Sequence, residues 1–389
     1  MARNPFTPTF GVSPPLLVGR SDLLDDFVAA LEDGPGAPGR MTLYTGARGT
    51  GKTVMLNEVE DLARRQGWRV ISETATEGLV NRLVREHLPA LLSEIDPDGS
   101  ETKVTGVSAP MGLGGAAWAT SEAHEVAPAL RTQLTAACDL LAGNGAGLLL
   151  TLDEIHHQVV PELREVATVL QHLVREEREI AFVGAGLPSA VSAVLNDDVL
   201  TFLRRADRHS LGPVALPEVA TAITEPIEHA DRRIAPELAA RAAEATGGYP
   251  FLIQLIGYHI WRQQPRHRDV SGDDVEAGIV AARRRLGSLV HEPALADLPG
   301  VARTFLLAMA HDDGPSKMSD IASRLNVDAN YASQYRLRLI ASELIEPVGH
   351  GWVDFTMPYL RDYLREHVAL DAQRELPPGD ASSNVVERD

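Results

Sequence analysis

The stretch Met41-Thr42-Leu43-Tyr44-Thr45-Gly46-Ala47-Arg48-Gly49-Thr50-Gly51-Lys52-Thr53 decides how the rest of the chain is read. Its first five residues form a short, largely apolar run, as expected of a strand buried in a parallel sheet. The run stops at Gly46. Apolar residues at helical spacing resume at Met55, Val59 and Leu62, and Gly67 ends that pattern. Between strand and helix stands the complete pattern G-x-x-x-x-G-K-[ST]. Glycines at 46, 49 and 51 open backbone conformations closed to other residues, so successive N–H groups converge on phosphate oxygens. The following helix presents its positive end to the same anion. Lys52 is placed to reach the β- and γ-phosphates of a nucleoside triphosphate, and Thr53 offers a hydroxyl to Mg²⁺. Ala47, Arg48 and Thr50 complete the cradle.

Further along, Leu148-Leu149-Leu150-Thr151-Leu152-Asp153-Glu154 is a second apolar strand, and it ends in two acids. Ligands of open parallel sheets gather at the carboxyl ends of the strands, which brings Asp153 beside the phosphate loop. There its carboxylate would hold Mg²⁺ with Thr53, and Glu154 would polarise the attacking water. Taken alone, Asp153-Glu154 also fits a cap on the next helix; beside an intact phosphate loop the metal-and-water reading is the stronger. The catalytic roles fall to Lys52 and Glu154, and metal ligation to Thr53 and Asp153. His156 and His157 are too few and too adjacent for a metal cage. Gly184-Ala185-Gly186 lacks the third glycine of a dinucleotide fingerprint, and the glycines at 112–115 follow no convincing strand.

Short apolar segments at 68–74 and 180–184 alternate with amphipathic ones at 127–142 and 160–176. Another helix, capped by Ser21 or Asp22, would bury Leu23, Leu24, Phe27, Val28 and Leu31. This alternation predicts an α/β fold, a doubly wound parallel sheet between two helical layers. Residues 96–115 are polar and glycine-rich with β-like pieces, and read as an insertion. Residues 216–286 show helical periodicity alone, broken at 246–250 and 265–271. Residues 301–364 read as three helices and a β-like pair at 344–348 and 352–355. The expected organisation is an extended arm (1–15), an α/β core (16–215), an all-α segment (216–292), a C-terminal module (293–370) and a disordered tail (371–389).

A length of 389 residues exceeds one ordinary domain, and 44% apolar with 23% charged residues is a globular composition. The net charge of −18 argues against a general nucleic-acid coat protein, which needs a basic surface. A single cysteine, Cys138, excludes an intramolecular disulfide and suits a reducing compartment; its apolar surroundings make it a small core residue. The first residues lack the apolar region of a signal peptide, and no apolar run approaches a membrane span. A cytoplasmic location without a membrane partner is expected.

Together these motifs resemble the AAA+ superfamily, in particular the branch near the origin-recognition initiators and the STAND regulatory ATPases. The resemblance implies ATP and ADP as ligands, Mg²⁺ as cofactor and an ATPase activity. It also implies that Leu17-Val18-Gly19-Arg20 is the entry segment that packs on adenine. Thr246-Gly247-Gly248-Tyr249-Pro250-Phe251 looks like the G-x-P motif of a helical lid, in which Pro250 starts a helix that touches the nucleotide. Two departures stand out. Gly184-Ala185-Gly186 occupies the place of a polar sensor, and no arginine flanks Gly248; both favour a slow switch. Arg204, Arg205 and Arg208 lie where the superfamily supplies an arginine finger to a neighbouring subunit, implying self-association.

The C-terminal module resembles a winged helix, with 330–342 as recognition helix and Gly349-His350-Gly351 as wing tip. Tyr331, Tyr335, Leu337, Ile340 and Ala341 would form the buried face, leaving Gln334, Arg336 and Arg338 for solvent or weak DNA contact. Residues 296–370 hold seven basic and ten acidic side chains, a balance of −3, whereas dedicated DNA-binding domains are usually basic. A DNA-binding protein with structural ATP and an adaptor recruiting a protein partner stand beside the switch as alternatives.

Overall fold

The computed structural model describes residues 3–9, 11–97, 118–196, 200–296 and 298–374. The expected insertion lies outside the described residues from 98 onward, and so does the tail from 375. The chain splits into two compact units, Met1–Val275 and Glu276–Asp389.

The first unit begins with α1 (Ser21–Glu32), β1 (Met41–Thr45), α2 (Lys52–Arg65) and β2 (Arg69–Thr74). Next come α3 (Leu79–Arg82), a π turn at Leu83–His87, α4 (Leu88–Ile95), α5 (Trp118–Ala142) and β3 (Leu148–Ile155). Then follow α6 (Val160–Arg175), β4 (Ile180–Gly186), α7 (Pro188–Leu195) and β5 (Asp207–Ser210). Three helices, α8 (Leu216–His229), α9 (Pro236–Thr246) and α10 (Pro250–Gln263), precede α11 (Gly272–Leu286), on which the division between the units falls.

The five strands pair in parallel in the order β2-β3-β4-β1-β5. Successive side chains of a strand point to opposite faces, and the apolar residues divide accordingly. Leu43, Leu148, Leu150, Leu152 and Phe182 pack with α3 to α6, whereas Tyr44, Leu149, Ala181 and Val183 pack with α1 and α2. Cys138 is buried on the first of these faces. The result is a three-layer P-loop NTPase fold followed by a mostly helical C-terminal part. Strand β5 carries the polar sequence Asp207-Arg208-His209-Ser210; at the sheet edge it needs only backbone pairing with β1, so no apolar pattern announces it.

One detail of this unit differs from expectation. Arg20, not Ser21 or Asp22, occupies the cap position of α1, and no side chain caps the helix. Its far end is tied down instead by Arg40, 3% exposed, which donates to the carbonyls of Ala30 at 2.8 Å and Leu31 at 2.6 Å and pairs with Glu179. A guanidinium here satisfies carbonyls that a helix end leaves open.

In the second unit α12 (Glu292–Ala296) and α13 (Gly300–Ala310) precede β6 (Ser316–Lys317), α14 (Met318–Leu325) and α15 (Ala329–Ala341). Strands β7 (Ile345–Gly349) and β8 (Trp352–Phe355) follow, then α16 (Leu360–Arg374). The strands form an antiparallel sheet in the order β6-β8-β7. Phe305, Leu306, Met309, Ile321, Leu339 and Val353 make its core. The Asp328 carboxylate caps α15 by accepting the Tyr331 N–H at 2.8 Å. The buried face of α15 is not the expected one. Ala332 and Leu339 are buried and Tyr335 and Ile340 half-buried, whereas Tyr331, Leu337 and Ala341 are exposed. The small Ala332, 1% exposed, belongs to the packed face and was not among the residues expected there. Arg336 is half-buried, its Nε enclosed without a hydrogen-bond partner; Gln334 and Arg338 are exposed. Among the described residues no helix is long and apolar enough to cross a membrane.

Candidate functional site

Strand β1 ends at Thr45 and α2 starts at Lys52, so the loop between them stands at the carboxyl edge of the sheet. Gly51 lies at φ +92° at the N-cap of α2, a conformation that favours glycine. No side chain caps that helix, which leaves its first N–H groups open to an anion. The Lys52 ammonium folds back over the loop, donating to the carbonyls of Gly46 at 2.7 Å and Ala47 at 2.9 Å.

Although β4 separates β1 from β3, Asp153 reaches the loop. The Thr53 hydroxyl donates to Asp153 Oδ2 at 2.6 Å, and Asp153 Oδ1 accepts the Glu154 N–H at 2.8 Å. Two residues earlier, the buried Thr151 donates to Glu60 Oε1 on α2 at 2.5 Å, fastening the helix that bears Thr53 to the strand that bears Asp153. Glu154 itself is exposed and sits at φ +55°, where β3 shifts register against β4. A non-glycine residue in that region is uncommon and costs energy, a pattern associated with functional sites.

Residues Arg48 to Thr53 line one cavity of about 680 Å³ with Val18, Arg20, Asp153, Glu154 and Pro250. Three expected ligand contacts lie off its wall. Gly19 turns the chain at φ +66° ahead of α1, while Gly46 and Ala47 turn their carbonyls to Lys52. Arg20 is held by the Gly212 carbonyl at 2.5 Å; burial lowers its pKa, with nearby Glu218 opposing the shift. Of the three candidate finger arginines, Arg204, Arg205 and Arg208 are all exposed and none lines the cavity; Arg204 Nε donates to the Leu195 carbonyl.

Sequence reasoning missed one part of the wall and one residue that holds the loop from behind. The N-terminal arm contributes Thr7, Pro8, Thr9, Gly11 and Val12. Phe6, 2% exposed, anchors it against Gly257 of α10, where any Cβ would lie 2.4 Å from the ring. Asn4 donates to the Tyr258 carbonyl at 3.1 Å, the Thr7 N–H to Gln254 at 3.2 Å, and Asn57 of α2 to the Gly11 carbonyl at 2.9 Å. The only signal was one aromatic residue in a proline-rich segment. The residue is Tyr249, which lies off the wall, precedes Pro250 and reaches the loop backbone from the start of α10; its hydroxyl donates to the Arg48 carbonyl at 2.5 Å.

A family model described as an AAA ATPase domain matches residues 16–183, the span that carries both the loop and the acidic strand. Residues 16–183 are an AAA ATPase domain. A second model, a domain of unknown function (DUF8462), matches residues 288–364. No curated protein sequence matches the chain. Among solved structures, the Walker-type ATPase of Pyrococcus abyssi is 14% identical, with 90% of this chain and 96% of that one covered and a TM-score of 0.62. The ORC1 protein of Aeropyrum pernix, solved in complex with DNA, is 16% identical over 92% and 95% of the chains, with a TM-score of 0.45. The RuvB Holliday junction branch migration motor of Thermotoga maritima is 16% identical over 89% and 95%, with a TM-score of 0.44. The likeness to the Pyrococcus abyssi ATPase is one of fold.

Within the AAA ATPase domain the donor set fits magnesium. A hydroxyl and a carboxylate oxygen are hard ligands, and Mg²⁺ usually takes only one or two protein oxygens beside phosphates and water. Among the described residues no cluster of three or more His, Cys, Asp or Glu could hold a metal ion. Strand β4 ends in Gly184, Ala185 and Gly186, which bring no polar side chain of their own to the site.

Proposed function

We propose that the chain binds ATP with Mg²⁺ in the cavity between the phosphate loop, the arm and α10, and hydrolyses it slowly as a conformational switch. The observation that carries this reading is the Thr53–Asp153 contact at 2.6 Å beside an uncapped helix start. Phosphates would bind the loop N–H groups and Lys52. Thr53 and Asp153 would hold the metal, which when bound neutralises charge on the phosphate oxygens. Val18, Arg20 and Pro250 would enclose the rest of the nucleotide. Glu154 would accept the proton of the attacking water. Slow turnover is supported by the absence of a polar side chain at 184–186 and by the left-handed, exposed position of Glu154.

Helices α8 to α10 serve in this reading as a lid that feels the nucleotide, and the C-terminal unit as a winged helix that receives the signal. For that unit a protein partner is favoured over DNA. Tyr331, Leu337, Val348 and Trp352 are exposed apolar side chains, and Arg336 is half-buried. Fluorescence titration with ADP and phosphate release from ATP, each with wild type and Lys52→Ala, test the proposal. Wild type should bind and release phosphate, and the variant should lose at least about a hundredfold in affinity. Equal binding by both proteins would rule out the phosphate-loop site.

A further inference from the structure

We propose that Tyr249 is a positioning residue for the phosphate loop, presenting the Gly49 N–H to a bound polyphosphate and joining the occupancy of the loop to α10. The inference rests on the nucleotide reading above and deepens it.

The invariant positions of the loop pattern are Gly46, Gly51, Lys52 and Thr53; position 49 is free in it. Yet Gly49 stands at φ +78°, and a Cβ built there would fall 2.1 Å from the Tyr249 hydroxyl and 2.6 Å from its Cζ. Tyr249 therefore occupies the space of a side chain at 49. Its hydroxyl donates to the Arg48 carbonyl at 2.5 Å, and the Phe251 N–H donates to the Gly49 carbonyl at 3.3 Å. A trans peptide is planar, with its C=O and N–H on opposite sides. Fixing the Arg48 carbonyl on the Tyr249 side turns the Gly49 N–H to the other side, away from the phenol.

The tyrosine is itself rigidly placed. It is 6% exposed and takes the N-cap of α10, its own N–H donating to the Thr246 carbonyl at 3.0 Å. Gly248, at φ +76°, lies so close to Val214 that a Cβ would meet the Val214 carbonyl at 2.3 Å, and Val214 N–H donates to the Gly248 carbonyl at 2.8 Å. The turn is thus wedged between the phosphate loop and the segment that leads into α8. Burial holds the phenol well above its ordinary pKa, so it remains a donor near neutrality. A loop whose peptide plane is held from α10 cannot rearrange around a phosphate without moving α10 as well.

Tyr249→Phe removes one hydroxyl and keeps the ring. Calorimetric titration with ADP should show its affinity lowered about tenfold, the loss of one well-aligned hydrogen bond, with the apo melting temperature little changed. Hydrogen–deuterium exchange supplies a readout that general loosening does not mimic. In wild type, saturating ADP should slow exchange at both 46–53 and 250–263; in Tyr249→Phe it should slow 46–53 alone. An unchanged ADP affinity with α10 still protected would overturn the assignment and leave the nucleotide site intact. No ADP binding by wild type would overturn both.

Discussion

Gly49→Ala places a methyl 2.1 Å from the Tyr249 hydroxyl, at a backbone angle of +78°. The angle alone costs an alanine about 1 kcal/mol, and the overlap adds to it, so the variant should melt lower than wild type and bind ADP at least tenfold more weakly. Gly51, also at positive φ, has open space around it, and Gly51→Ala should suffer the angle penalty without the overlap. Comparing the melting temperatures of the two variants separates the terms; equal losses would argue against the Tyr249 contact. These residues also show what single positions reveal. Gly46, Gly51, Lys52 and Thr53 were legible because phosphate binding restricts residue type at each. Tyr249 was not, because its partner lies 201 residues away and the motif at 246–251 directs attention to Pro250 instead.

The N-terminal arm is the element whose role the sequence hid most fully. It has no periodicity of its own, and its order comes from Phe6 against Gly257 and from the bonds of Asn4 and Thr7 to α10. Replacing a buried phenylalanine by alanine costs about 3 to 5 kcal/mol, comparable with the docking of so short a segment. Phe6→Ala should release the arm, visible as faster trypsin cleavage after Arg3 or Arg20 and as weaker ADP binding from the loss of one cavity wall. Cleavage as slow as in wild type would show that the arm is held elsewhere. The sheet, in contrast, was readable from apolar runs that end in the loop and in Asp153, because parallel strands buried on both faces admit little else. Strand β5 escaped for the opposite reason, being an exposed edge of four polar residues. On α15 the expected face failed at Tyr331, Leu337 and Ala341, because apolar residues stand on both sides of the helix and the packed side carries Ala332 and Leu339.

For the molecule as a whole, acidity and self-association supply two further tests. His291 in the C-terminal unit is 1% exposed, faces the Pro358 carbonyl at 3.0 Å and has its Nδ1 enclosed without a partner. Burial lowers its pKa to about 4. The unfolded chain protonates this histidine near its ordinary value of about 6.5, so unfolding takes up a proton between those limits. Stability should therefore fall as pH drops from about 6.5 to about 4, by up to about 3 kcal/mol, and level off for this group below that. Asp312 acts in a lower window. Hydrogen bonds from Arg324 hold its pKa at about 2, so its contribution is present above its ordinary value and fades below it. Melting curves across pH 7 to 4 with wild type and His291→Asn check the first window; parallel curves would contradict it. For self-association, light scattering with a slowly hydrolysed ATP analogue should report a larger particle than without nucleotide. Replacing Arg204, Arg205 and Arg208 together should abolish that gain, whereas a monomer in every condition, with turnover untouched, would remove these arginines from the account.

The proposed function divides labour between a loop that holds nucleotide and an acid that activates water, and Glu154→Gln tests that division most directly. The substitution keeps size and hydrogen-bonding capacity but removes the base, so ADP and ATP binding should match wild type while phosphate release falls by about 10²- to 10⁴-fold. Phosphate release by Glu154→Gln at the wild-type rate would contradict the account.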